Sequence, residues 1–296
     1  MKRGFIIVIT VVSIGLIWYF LIKPQDYQVR VIAKTNIGVI NQTLKAWNQS
    51  LTNATIQQID NLENLKQTIH LTDSTHIYNW RISSITDSTS QLIVDVKDPD
   101  HSFQNKFFIP FTDTNFEKKA RKTVIDFIEN LNDHLKDFKV NFIGEEKLPA
   151  TYCACVTHKT VQSKKAFAMM ESYPFLNSVI TNNSIQLNGV PFIETSHWNM
   201  QNDSIAFNFC YPIIKTDSLP IIKNLIYKDF TGRRSLKAIY NGNYMTSDRA
   251  WYTLLNYAKK NNIEVDKKPI EFFFNNPNMG GDALRWNAEI FMPIIE

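Results

Sequence analysis

Apolar side chains fill residues 4–22 without one charged interruption, from Gly4 and Phe5 to Leu21 and Ile22. A helix rises about 1.5 Å per residue, so a run of this length crosses the hydrocarbon core of a bilayer. Trp18 and Tyr19 stand near its end, where amphipathic rings favour the interface, and Lys2, Arg3 and Lys23 flank it. The run closes on bulky residues, Trp-Tyr-Phe-Leu-Ile-Lys-Pro, not on the small residues of a signal-peptidase site, and no Cys follows to take a lipid. The pattern predicts an uncleaved anchor over 1–25. The basic start favours an inside N-terminus, although Lys23, Arg30 and Lys34 weaken the charge bias. The expected location is a bacterial cytoplasmic membrane, crossed once, with the soluble body outside the cytoplasm.

Between 26 and 144 the pattern changes to alternation. It predicts a strand over 27–34, a short helix over 37–47, and strands over 65–72, 75–85, 91–96 and 103–111. His76, Tyr78, Trp80 and Ile82 share one face of the 75–85 strand, and Asp73-Ser74 and Asp87-Ser88 supply turns. Phe116, Ala120, Val124, Phe127, Leu131, Leu135 and Phe138 then recur at helical spacing. They predict one long helix over 116–138, capped by Asp113 or Thr114. A strand, a short helix, a meander and a long final helix resemble the START-like (polyketide-cyclase/SRPBCC) helix-grip fold. That resemblance implies a hydrophobic ligand held between sheet and helix; Tyr78, Trp80 and Phe127 read equally well as core.

From 145 to 296 the chain repeats itself. Residues 183–192, Asn-Ser-Ile-Gln-Leu-Asn-Gly-Val-Pro-Phe, match 261–270, Asn-Asn-Ile-Glu-Val-Asp-Lys-Lys-Pro-Ile. Ile185 pairs with Ile263 and Pro191 with Pro269 at one constant offset. Each stretch follows an amphipathic helix and leads to a strand pair ending in a proline motif, around Pro212 and Pro293. Both copies therefore read strand, helix, strand, strand. Two such copies pair about a pseudo-twofold axis and leave a cleft between them.

Residues 236–293 resemble the second half of the GyrI-like domain, also called the bacterial transcription-activator effector-binding domain. The matching pieces are Ala238-Ile239-Tyr240-Asn241-Gly242-Asn243-Tyr244, Ala250-Trp251 with Leu254-Leu255, Asn261-Asn262-Ile263, and Phe272 through to Pro277. The match closes on Trp286-Asn287-Ala288-Glu289-Ile290-Phe291-Met292-Pro293. The likeness spans about half the chain and is weaker in the first repeat. It implies a hydrophobic or cationic small molecule bound between the repeats, beside a buried acid and aromatic side chains. Some members of that family carry a DNA-binding helix-turn-helix, which has no counterpart here, and some stand-alone members are hydrolases.

The fold class expected is therefore α+β: a transmembrane helix (1–25), a START-like domain (26–144) and a duplicated GyrI-like domain (145–296). Strand alternation near the end turns Trp286, Ala288, Ile290 and Met292 one way and Asn287, Glu289, Phe291 and Pro293 the other. The aliphatic set suits a helix-packed core, which turns Glu289 and Phe291 to the cleft, opposite Asn208 and Cys210 of the first copy. A buried carboxylate is costly unless compensated, and a cationic ligand would compensate Glu289; pairing with a Lys or Arg would do the same. Tyr240 and Tyr244 flank Gly242 and stand near the cleft by the family pattern, or pack on the next helix. Trp251 and Trp286 complete the ligand-binding set, with Trp251 reading also as core. Trp198 lies by an Asn/Gln-rich turn and covers an edge.

Composition narrows the classes. The 296 residues carry a net charge of +4 with scattered Lys and Arg, too weak a field for nucleic acid. Cys153, Cys155 and Cys210 are too few for a disulfide framework and read as buried or pocket-lining thiols; no His or Cys ligand spacing completes a metal site. No phosphate-cradling glycine loop or catalytic triad motif is present, and no cofactor is implied. The leading expectation is a membrane-anchored sensor or carrier of a small molecule. The alternatives are a hydrolase of small electrophiles with Glu289 as general base, and lipid handling by the START-like domain.

Overall fold

Alternation and helical periodicity compete along this chain, and the computed structural model, which describes residues 2–295, shows which prevails where. Met1 and Glu296, the outermost residues of the expected anchor and C-terminal domain, lie outside the described residues. The protein is α+β, with two antiparallel sheets in two compact units, Met1–Asn132 and Asp133–Glu296. That division falls before the expected border at 144/145, because Phe138–Lys147 is a strand of the second sheet.

In the first unit, α1 (Lys2–Ile17) continues as a wider π-helical turn over Trp18–Ile22. The stretch Arg3–Ile22, 20 residues, is long and apolar enough to cross a membrane. There follow β1 (Tyr27–Ala33), α2 (Ile37–Ser50), β2 (Ala54–Asp60), β3 (Asn64–His70), β4 (Thr75–Thr86), β5 (Thr89–Lys97), α3 (Ser102–Phe108) and α4 (Asn115–His134). The sheet order is β1-β5-β4-β3-β2. His76, Tyr78, Trp80 and Ile82 are all buried along β4, as their alternation requires. The stripe of Phe116, Ala120, Val124, Phe127 and Leu131 is the buried face of α4, and Thr114 caps that helix by accepting from the Glu117 amide at 3.1 Å.

Aromatic rings fill the space between sheet and helices. Phe127 lies 5.1 Å from Trp80 and 5.5 Å from Trp47 between ring centroids. The Trp80 indole donates to Gln67 at 3.1 Å, and Gln67 donates to Asn48 at 2.8 Å, so the buried polar atoms are satisfied inside the same core.

Two local expectations fail, and one strand forms where the pattern predicts none. Residues 103–111 form no strand: Phe103, Phe107 and Phe111 recur every four positions, and α3 takes that periodicity. Phe138 does not extend α4, which stops at His134; Phe138 opens the next strand. The edge strand β2, Ala-Thr-Ile-Gln-Gln-Ile-Asp, was unassigned because its polar side chains mask the alternation.

The second unit contains β6 (Phe138–Lys147), β7 (Thr151–Val161), α5 (Lys165–Asn182), β8 (Phe192–Asn199), β9 (Ser204–Ile213), β10 (Ile226–Phe230), β11 (Arg234–Gly242), α6 (Arg249–Lys260), β12 (Ile270–Phe273) and β13 (Asn287–Pro293). The duplication is visible as β7-α5-β8-β9 followed by β11-α6-β12-β13. One sheet of order β10-β7-β9-β8-β12-β13-β11-β6 contains both copies. They meet at an antiparallel seam, Phe192↔Phe272, Ile193↔Glu271 and Glu194↔Ile270. Ile193 and Glu271 are separated by the same offset as Ile185 and Ile263. Each therefore faces its own repeat counterpart, as a twofold relation demands.

A buried ion pair joins the copies a second time. Lys165 at the start of α5 pairs with Glu271 of β12, and neither side chain is exposed at all. Ser247 accepts from Lys165 at 2.7 Å and donates to Glu271 at 2.5 Å. The Lys165 ammonium also lies 4.9 Å from the Trp251 ring centroid.

Removing one charge strands the other. Lys165→Met is expected to lower unfolding free energy by about 3–5 kcal/mol in denaturant titration, and Lys165→Met with Glu271→Leu to recover most of that loss. A double variant as unstable as the single one would refute the account. In the first unit, burial holds the His76 imidazole below its ordinary value of 6.5. The unfolded chain then binds the proton more readily, so stability falls as pH drops through about 6.5 and levels off below the folded value. Melting curves between pH 7.5 and 5 should show that fall, and His76→Gln should reduce it.

Candidate ligand-binding site

A cavity of about 470 Å³ opens between the two repeats, on the helix side of the sheet. Helical spacing supplies one wall: Ala166, Met169, Met170, Tyr173 and Asn177 form a stripe along α5. Pro174 lies inside this helix and lacks the N–H that would bond the Met170 carbonyl. From β9 come Phe209 and Tyr211, and residues 187–191 close the first-repeat side.

The second repeat supplies Asn243, Tyr244 and Met245, the segment 273–278, and Trp286. Gly242 launches that first turn at φ 153°, and a Cβ there would sit 2.6 Å from the Tyr240 hydroxyl and 2.7 Å from the Phe138 Cβ. No other residue fits that corner.

Among the described residues the lining is aromatic, aliphatic, thioether and amide, with no Asp, Glu, Lys, Arg or His. Its polar groups are held by neighbours. Tyr211 donates to Asn177 at 2.9 Å, and Asn276 donates to Tyr173 at 2.9 Å. Tyr244 donates to the Asn287 carbonyl at 2.7 Å and accepts from the Asn275 amide at 3.1 Å. Burial pushes the Tyr244 phenol up to about 12, so it stays a neutral donor. Behind this lining sits the Lys165–Glu271–Ser247 cluster, one or two residues in sequence from Ala166, Phe273 and Met245.

Of the eight residues singled out from sequence, Tyr244 and Trp286 line the cavity, their rings 5.8 Å apart. The expected wall was one residue out of phase in β9, where Phe209 and Tyr211 face the cavity and Asn208 and Cys210 face the opposite side of the sheet. A strand turns every side chain over with a shift of one. Glu289 lies on that opposite side as well and pairs with Lys237 at 3.0 Å, so no ligand is needed to compensate it. Asn208 donates to Glu194 at 3.1 Å and accepts from Thr157 at 2.7 Å. Phe291 and Cys210 belong to a filled cluster with Phe192, Ile270, Phe272, Cys153 and Cys155.

Tyr240 is fully buried and donates to the Asn243 carbonyl at 2.8 Å. Trp251 is fully buried too, edge-on to Trp198 at 5.0 Å. Trp198 is core rather than an edge cover, and its indole donates to Gln162 at 2.9 Å.

The cysteines correct another expectation. Cys155 and Cys210 stand directly opposite each other on β7 and β9 and form a disulfide. Cys153 remains a free thiol beside it, pushed up to about 12 by burial. Cys210 therefore binds its partner strand rather than a ligand. Sequence could not reveal this, since the pairing depends on a register between residues 55 apart.

Sequence reasoning missed Glu271 and Lys165. Glu271 carried a signal: it is the lone acid in the apolar run Ile270-Glu271-Phe272-Phe273-Phe274, where every neighbour on the strand is buried. Lys165 carried none, being the last of the polar run Gln162-Ser163-Lys164-Lys165 that opens α5.

No protein-family model matches the sequence, and no curated protein is significantly similar to it. Several solved structures are similar to about half of the chain. The C-terminal domain of EcmrR is 14% identical, with a TM-score of 0.45 over 54% of this chain and 98% of that one. SAV2435, solved bound to tetraphenylphosphonium, is 10% identical, with a TM-score of 0.37 over 52% of this chain and 94% of that one. A putative bacterial transcription regulation protein from Staphylococcus aureus MU50 is also 10% identical, with a TM-score of 0.37 over 53% of this chain and 99% of that one.

Proposed function

We propose that residues 133–296 form a GyrI-like ligand-binding module, held at a bacterial cytoplasmic membrane by the N-terminal helix, that senses or carries a hydrophobic, uncharged small molecule. The observation that carries this is the cavity between the repeats, with its aromatic and thioether walls and amide groups at fixed positions. The twofold seam and the matched element order support the family assignment. The apolar stretch Arg3–Ile22 supports the anchor. The Cys155–Cys210 disulfide supports a soluble body outside the cytoplasm, since such bonds persist in oxidising compartments.

A neutral ligand is favoured because the buried carboxylate nearest the cavity, Glu271, already has its cation in Lys165. Aromatic faces alone attract a cation by about 0.5–2 kcal/mol, which does not offset stripping it of water. Binding is favoured over hydrolysis because the lining holds no nucleophile beside a base, and Glu289 is paired on the other face of the sheet. Lipid handling by the first unit finds no support in its interior, which Trp47, Tyr78, Trp80 and Phe127 fill.

Calorimetric titration of the full chain in detergent tests this with two probes of similar shape. Triphenylphosphine oxide, which is neutral, should bind more tightly than tetraphenylphosphonium. Ala166→Phe, which puts a ring into the cavity, should weaken binding about tenfold or more, a loss of about 1.4 kcal/mol. Glu289→Gln should leave it unchanged. Equal or tighter binding of the cation would overturn the neutral preference, and full binding by Ala166→Phe would overturn the cavity itself.

A further inference from the structure

The helix α3 is inside out. Three of its polar residues point inward, although Gln104 stays exposed: Asn105 and Lys106 are buried, and Ser102 donates to the carboxylate of buried Asp26 at 2.5 Å. Its phenylalanines point outward. Phe103 is 63% exposed, Phe107 and Phe108 are 49% each, and Phe111, just beyond the helix, is 77%. Four such rings within nine residues make a contiguous apolar patch of the kind soluble surfaces avoid.

The patch is fastened to the end of the candidate span. Lys106 donates its ammonium protons to the carbonyls of Lys23 at 2.6 Å and Phe20 at 3.3 Å, groups that the closing helix turn leaves over. Tyr19 donates to the Lys106 carbonyl at 3.0 Å. The Phe20 and Phe103 rings lie 5.0 Å apart, so the apolar surface passes from the anchor to α3 without a break. Lys106 satisfies these carbonyls from inside the protein, with a stem that also fills space.

We infer that α3 is a second membrane contact: Phe103, Phe107, Phe108 and Phe111 insert into the interfacial region of the bilayer at the end of the anchor. This rests on the anchor proposed above. Aromatic rings at the depth of the headgroups lose contact with water while their neighbours keep it. With α3 clamped to the anchor at residues 19–23, the first unit is held against the lipid surface at a fixed tilt, where a single flexible tether would let it swing.

Nitroxide labels on the full chain in phosphatidylcholine–phosphatidylglycerol vesicles test this. Phe107→Cys and Phe111→Cys replace exposed rings, and the native Cys153 is buried. The inference expects labels at 107 and 111 to collide with oxygen more than with a water-soluble nickel chelate, the reverse of the ratio at Ser88→Cys on an exposed turn. A nickel-dominated ratio at 107 and 111 overturns it. So does low collision with both agents together with spin–spin broadening, which would mean that a second copy covers the patch. A label at Val12→Cys separates the two claims. If Val12 reports the bilayer interior and residues 107 and 111 do not, only the α3 contact fails; if Val12 reports water, the anchor fails and α3 with it.

Discussion

Moving a charge from water into a protein interior costs several kcal/mol even after relaxation, a sum comparable with the whole stability of a domain. The second unit takes Lys165 and Glu271 wholly out of water, and the two charges come from different repeats. The pair forms only when the repeats are docked along the β8–β12 seam, so it ties the duplication to one geometry. It also sets the electrostatics of the cavity beside it. Both charges are used against each other, and Ser247 and the Trp251 ring take up the remaining capacity. What lines the cavity is therefore uncharged, with a few amides and phenols held by their neighbours.

Much of the architecture was legible in the sequence because period is a local property. The alternation of His76, Tyr78, Trp80 and Ile82 and the stripe on α4 needed only neighbouring residues, and the repeated strand, helix, strand, strand order only a comparison of the chain with itself. The cavity was less legible because it depends on phase and register. Asn208 and Phe209 are adjacent in sequence and lie on opposite sides of the sheet, and nothing local says which side the helix covers. Cys155 and Cys210 become partners only when β7 and β9 are aligned, and Lys165 gains its meaning from a strand more than a hundred residues away. Tyr244 and Trp286, which line the cavity, stand just after β11 and just before β13, at strand ends that the sequence marks with Gly242 and the Trp286–Pro293 run.

In the first unit the same contest of periods has another outcome. The 103–111 segment carries phenylalanines at helical spacing and a lysine that the fold buries. Hydrophobicity there does not mark the core. The helix is held by polar bonds to Asp26 and to the end of the apolar stretch, while its rings stay outside. Reading those phenylalanines as a buried strand reverses inside and outside, and the exposed patch then escapes notice.

The disulfide makes the two copies unequal. Cys155–Cys210 staples β7 to β9, both of the first repeat, and the corresponding strands β11 and β13 of the second have no covalent link. Hydrogen bonds to β12 and β11 alone hold β13, while β9 is also tied covalently to β7. The loop after β12, residues 273–278, belongs to the unstapled half and forms one lip of the cavity. One jaw of the cavity is riveted and the other is only laced, so its two walls resist strand separation unequally.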